Sequence, residues 1–202
     1  MAVPVVNLAN TSPESKKLTD YDYDVAAKKL GCDSAAIKAI VSVESSGNGF
    51  LKDGRPIVRF ESHKFSKYTK GKFDASNPTI STPTMIVRKS KGPEDEYSLY
   101  EQAKALDEAA AMNSCSWGMF QIMGFNFAMC SYSTVQAFVA DMHISEGKQL
   151  LAFTGFVISR KLVDSLKTKN WAKFAEGYNG KEYKKYNYDT RIAQAYQNFN
   201  IG

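Results

Sequence analysis

Val43-Glu44-Ser45-Ser46-Gly47-Asn48-Gly49-Phe50 is the stretch whose reading decides the fold. It closes an amphipathic run and opens a glycine-rich turn. Upstream, Asp33 or Ser34 is placed to cap a helix over Ala35–Glu44, and Ile37, Ile40 and Val41 fall on one face of it. Gly47 ends the run. Glu44 therefore stands at the negative end of a helix, where the peptide dipoles disfavour its anion. Downstream, Asp53-Gly54 separates Phe50-Leu51-Lys52 from Arg55–Glu61 and reads as a hairpin turn. In the second arm Val58 and Phe60 share one face, and Ile57, Arg59 and Glu61 share the other. Glu61 ends that arm and leads into Ser62-His63-Lys64-Phe65.

Two carboxylates on different elements, turned to one cleft, are what glycosidic-bond cleavage requires. One must keep its proton at neutral pH while the other is charged. The helix end and any apolar wall both favour the neutral form of Glu44, which suits a general acid. Glu61 suits activation of water, stabilisation of a cationic centre, or attack on the sugar. His63 is placed to orient Glu61 by a hydrogen bond. The plainer readings remain open: a solvated helix-end glutamate, an ion pair of Glu61 with Arg59 or Lys64, and a half-buried histidine with a structural hydrogen bond.

Working outward, residues 1–20 read as a polar lead-in and 21–202 as one catalytic-sized domain. A helix is expected over Tyr21–Leu30, stopped by Gly31. Residues 66–96 are rich in glycine and proline and read as a long loop of the kind that carries function or motion. A helix is expected from Tyr97 to about Met112, led by Glu94-Asp95-Glu96. The block Ser116–Asn126 is expected at a helix start, and Ser133-Thr134-Val135-Gln136 resembles a capping box that opens a further helix. One or two apolar helices follow over 146–166, then a short helix Asn170–Gly177. Tyr178-Asn179-Gly180 reads as a break before a closing helix Tyr183–Phe199. The fold class is mainly α, with one small β hairpin (α+β).

The chain has 202 residues, 44% of them hydrophobic and 23% charged, which supports an ordinary packed core without staples. A net charge of +5 suits an anionic partner, but no arginine-rich stripe or nucleic-acid motif appears, so no nucleic-acid partner is expected. Cys32, Cys115 and Cys130 lack metal spacing and read as reduced small hydrophobes. With His63 and His143 as the only histidines, no metal site and no cofactor are expected. The first residues lack a basic, then apolar, secretory pattern, and Leu150–Ile158 is too short to span a bilayer. The chain is therefore expected to be soluble.

Among the remaining polar residues, Gln121 and Asn126 lie amid glycines and aromatics. Glycines let a backbone approach a ligand, and amides offer donors and acceptors to sugar hydroxyls and N-acetyl groups. Tyr178 and Asn179 present a phenol and an amide at a helix break. Trp117, Phe120 and Phe125 each read better as core than as sugar platforms.

Taken together, Glu44-Ser45-Ser46-Gly47-Asn48-Gly49-Phe50, Phe60-Glu61-Ser62-His63-Lys64-Phe65, Ser114–Asn126 and Tyr178-Asn179-Gly180 resemble the phage N-acetylmuramidase (endolysin) family of the lysozyme-like superfamily. The resemblance runs from about residue 20 to the C-terminus. It implies a lysozyme-like helical domain with a small β hairpin beside the cleft. It also implies cleavage of the β-1,4 bond between N-acetylmuramic acid and N-acetylglucosamine in peptidoglycan. By motif position Glu44 corresponds to the general acid and Glu61 to the second carboxylate, with Gln121, Asn126, Tyr178, Asn179 and His63 in the cleft. Some relatives carry an N-terminal wall-binding domain, for which residues 1–20 leave no room. A monomer is expected, held in the host cytoplasm until a separate pore-former releases it to the periplasmic wall.

Three rivals remain at this stage. A lytic transglycosylase on the same scaffold would use the muramoyl 6-hydroxyl in place of water and form 1,6-anhydro ends. A glycan-binding or phage structural module would do no chemistry. The third is membrane perturbation by the basic C-terminal helix, Lys181–Phe199, whose mixed charges and tyrosines make it a poor membrane binder.

Overall fold

The computed structural model describes residues 16–44, 47–85 and 91–200. Most of the expected lead-in, residues 1–15, lies outside these. The first helix, α1 (Asp20–Leu30), starts where Thr19 accepts from the backbone of Asp22 while the Asp22 side chain reaches back, and it stops at left-handed Gly31. Next, α2 (Ser34–Glu44) buries Ile37, Ile40 and Val41 as their spacing requires, and its last residue is Glu44.

The sheet departs from the simple hairpin. Phe50 and Pro56 make a single antiparallel bridge around the Lys52–Gly54 turn. The second arm, β1 (Val58–Phe60), pairs instead with β2 (Cys115–Trp117), which pairs with β3 (Ile122–Met123). The reason lies in α4 (Pro93–Leu106). Its Glu96 accepts from the Phe60 amide at 2.9 Å, and its Tyr97 hydroxyl donates to the Pro56 carbonyl at 2.6 Å. One edge of β1 is thus held by a helix, and the strand completes its ladder with β2. Val58 and Phe60 are buried and Arg59 exposed, as the alternation requires.

Ser116–Asn126 is strand, turn and strand followed by a 3-10 helix (Gly124–Asn126), not a helix start. Positive φ at Gly118 and Gln121 reverses the chain there. Within 66–96, α3 (Ser62–Tyr68) covers the beginning. Asp74 then accepts from the Ser66 and Ser81 hydroxyls and gathers the following turns. The helix expected over Tyr97–Met112 is two helices. Asp107, with extended backbone, ends α4 and caps α5 (Glu108–Asn113) by accepting from Ala110 N at 2.9 Å.

The remaining helices are α6 (Val135–Met142), α7 (Glu146–Ser159), α8 (Val163–Lys167), α9 (Trp171–Asn179) and α10 (Tyr188–Asn200). Tyr178 and Asn179 belong to the last turn of α9, and the break falls at Gly180, whose φ is 79°. Tyr183 lies in a 3-10 helix, Lys181–Tyr186, and left-handed Asn187 separates it from α10. The core centres on α7, where Leu150, Phe153 and Val157 are fully buried with Ile37, Ile40, Phe138 and Phe174. Each such side chain contributes roughly 1.5–3 kcal/mol. Cys115 and Cys130 are buried and Cys32 half-buried, all as free thiols. Among the described residues no helix is long and apolar enough to cross a membrane.

Candidate active site

Three helix ends meet around Glu44. The C-terminal turn of α2 delivers the carboxyl, and the last turn of α9 delivers Asn179, whose Nδ2 donates to Glu44 Oε1 at 2.8 Å. Burial pushes the Glu44 carboxyl up to about 7; the bond from Asn179 and the charge of Arg191 on α10 oppose that rise without cancelling it. A group poised there holds a proton for much of its time at neutral pH and can give it up, as a general acid must.

Tyr178 packs beside them. Its ring stacks on Phe174 at 5.9 Å and meets the edges of Phe153 and Phe156 at 5.4 and 5.8 Å. Burial pushes its phenol well up, and the negative charge of nearby Glu44 adds to that. The phenol is thus a neutral hydrogen-bonding group beside the acid.

Tyr178 and Asn179 form one wall of a trough of about 330 Å3, and Gln121 and Asn126 stand in its lining with Ile122, Met123 and Phe120. Gln121 also lines a second hollow of about 360 Å3, together with Arg59, Glu96 and Tyr97. The two depressions therefore adjoin at Gln121. Both amide hydrogens of Gln121 are engaged: Nε2 donates to the Gly118 carbonyl at 2.9 Å and to the Ile57 carbonyl at 3.3 Å. Its Oε1 accepts from the Ser116 hydroxyl at 2.8 Å. Gln121 is thus first a brace for the β2–β3 turn, with one Oε1 lone pair left for a ligand.

Glu61 stands at the junction of β1 and α3. Its backbone N–H donates to the Ser114 carbonyl at 2.9 Å, and its carbonyl accepts from Lys64 and Phe65. The side chain makes no cap bond. It is flanked by Arg59 Nε, 3.6 Å from Oε1, and by His63 Nδ1, 3.6 Å from Oε2. The plain reading of Glu61 as an ion-pair partner of Arg59 thus has a geometric basis, and His63, expected to orient it by a hydrogen bond, sits beside it at a separation longer than one. Arg59 lines the hollow that adjoins the trough, whereas Glu61 and His63 stand in the lining of neither.

Two residues that pattern reading passed over hold the arrangement together. Glu146 and Gln149, on the first turns of α7, are almost fully buried. Glu146 accepts from the Gly49 amide at 2.9 Å and from Leu18 N at 3.0 Å, and pairs with Lys17. Gln149 accepts from Met119 N at 2.7 Å and donates to the Gly49 and Met142 carbonyls. One helix thus ties the chain leaving Glu44 to the turn carrying Gln121. A Cβ at Gly49 or Gly118 would meet Gln149 Oε1 at 2.2 or 2.6 Å, so these glycines are required by close approach. The signal available in the sequence was two polar residues one turn apart at the head of an otherwise apolar helix.

Trp117 is core: it is buried, donates Nε1 to the Met112 carbonyl at 3.1 Å and takes the edge of Tyr100. Phe120 is buried and stacks on Phe153 at 4.4 Å while also lining the trough. Among the described residues no cluster of His, Cys, Asp or Glu could hold a metal ion.

The model of the N-acetylmuramidase family matches residues 33–200. The fold superposes on the crystal structure of the Burkholderia AP3 phage endolysin with a TM-score of 0.86 at 36% identity, covering 97% of this chain and 76% of that one. No curated protein matches at a significant level. A family match over most of the chain, on a helical fold with a small antiparallel sheet beside a cleft, leads to one conclusion: the chain belongs to the N-acetylmuramidase family, glycoside hydrolases of bacterial peptidoglycan.

Proposed function

We propose that this single domain acts as an endolysin, cleaving the β-1,4 bond from N-acetylmuramic acid to N-acetylglucosamine with Glu44 as general acid and Glu61 as the second carboxylate. The observation that carries the assignment is the state of Glu44. Its carboxyl is pushed up to about 7 by burial, and Asn179 on the trough wall donates a hydrogen bond to it. A glycan strand lying in the trough would bring its bridging oxygen to the neutral carboxyl. Proton transfer there is worth about 10²–10⁴-fold. In this account Glu61, beside Arg59 at the start of α3, faces the sugar from the other side and either activates water or stabilises the oxocarbenium-like centre. His63 and Arg59 fix its orientation. Tyr178, Asn126 and the remaining Gln121 lone pair offer hydrogen bonds to N-acetyl and hydroxyl groups.

The protein works as a monomer and without a cofactor in this account. It waits in the host cytoplasm and acts on the periplasmic wall once a separate pore-former releases it. The test is product analysis on purified sacculi. Hydrolysis gives reducing muramic acid ends, and Glu44→Gln abolishes them while the protein stays folded. Retention of most activity by Glu44→Gln would overturn the acid assignment. Muropeptides ending in 1,6-anhydromuramic acid would identify a lytic transglycosylase instead.

A further inference from the structure

One face of α3 is not accounted for by the chemistry at Glu61. Glu61, Lys64 and Tyr68 follow at helical spacing on a common face, so Tyr68 stands about 10 Å along the axis from Glu61. Tyr68 is among the exposed large hydrophobic side chains, at 39%. Its ring lies 6.3 Å from that of Phe125, tilted by 33°, and Lys64 Nζ stands 5.5 Å from the Phe125 ring. Phe125 comes from the 3-10 helix Gly124–Asn126, and the next residue, Asn126, lines the trough. Two rings from separate elements thus make an apolar shelf bordered by a cation, one residue along the chain from the trough lining. Trp117 and Phe120 are engaged in the core, whereas this pair keeps accessible ring surface.

We propose that Tyr68 and Phe125 form an outer sugar subsite: a pyranose ring of the glycan strand stacks on the shelf, and the Lys64 ammonium meets a carboxylate borne by the strand or its stem peptide. This rests on the reading of the trough as the glycan groove. A sugar ring has an apolar face of C–H groups and an equatorial rim of polar ones. A half-exposed ring pair takes the first and a neighbouring lysine suits acidic substituents on the second. The shelf lies beyond the reacting bond, on the Glu61 side. It therefore adds hold on a long strand and not on the bond being broken.

The experiment measures binding without turnover, in the Glu44→Gln background, to insoluble sacculi and to a neutral chitin oligomer. Tyr68→Ala and Phe125→Leu are each expected to weaken both interactions roughly three- to tenfold. The leucine keeps apolar volume under the shelf, so its loss is not a folding defect. Tyr68→Phe is expected to retain binding. Lys64→Met is expected to weaken binding to sacculi and leave the neutral oligomer unaffected. Tyr21→Ala, an exposed tyrosine on α1, serves as the control and is expected to change neither. Unchanged binding by both Tyr68→Ala and Phe125→Leu would overturn the subsite. Equal loss on both ligands by Lys64→Met would overturn the carboxylate contact. Failure of the cleavage reading would show separately, as absence of reducing ends from the wild-type protein on the same sacculi.

Discussion

Replacing Glu44 by Gln should remove catalysis and, at alkaline pH, make the protein more stable. The magnitude follows from the site. Burial raises the carboxyl from 4.5 to about 7, so the folded state holds a proton that the unfolded chain has already released between those values. When the folded state binds more protons, stability falls as pH rises through that window, and the loss is complete above it. At about 1.4 kcal/mol per tenfold change, the full effect is about 3 kcal/mol, and partial exposure of the side chain trims it to about 2–3 kcal/mol. Gln is nearly isosteric, keeps an oxygen for the Asn179 donor and carries no charge to desolvate. The assay is urea denaturation of both proteins at about pH 4 and about pH 8.5. The variant should match the wild type at the acid end and exceed it by about 2–3 kcal/mol at the alkaline end. A difference that does not change with pH would refute the reasoning, because it would mean that Glu44 ionises as readily folded as unfolded.

Asn179→Ala removes a hydrogen bond that lowers the Glu44 carboxyl, so the alkaline limb of kcat/KM should move to higher pH; a limb that stays in place or moves down would contradict that role. Glu61→Gln should lower the rate of reducing-end release by about 10²–10⁴-fold, and a near-normal rate would reduce Glu61 to a partner of Arg59 and His63. Glu146→Ala leaves the Gly49 amide without its buried acceptor and should destabilise the fold by about 1–3 kcal/mol in urea denaturation, more than removal of an exposed carboxylate such as Glu101.

The helical part of this fold is written locally and was legible for that reason. Gly31 and the Ile37–Ile40–Val41 stripe state the end of α1 and the buried face of α2 in adjacent residues. The same local logic put Glu44 at a helix end. What stayed hidden depends on partners distant in the chain. The second arm of the Asp53-Gly54 turn reads as half of a hairpin, but its outer edge is held by Glu96 and Tyr97, and its ladder partner is Cys115–Trp117. Ser116–Asn126 reads as a helix start because glycines and apolar residues alternate without a clear period; it turns back on itself because Gln149, thirty residues on, receives the Met119 amide. Asp107 ends a helix by capping the next, a choice that helix propensity does not reveal. Of the site residues, Tyr178 and Asn179 were visible as a phenol and an amide at a helix break; what stayed hidden is that Asn179 meets Glu44 and that both line one trough with Asn126. Gln121 was visible as a ligand-binding amide and is mostly a brace.

The account turns on a glutamic acid that keeps its proton near neutrality. Carbon-13 NMR of the glutamate side-chain carboxyls, with Glu44→Gln used to assign the Glu44 signal, reads that proton directly. The account predicts a midpoint at about 7. A midpoint at the ordinary glutamate value, about 4.3, would contradict it.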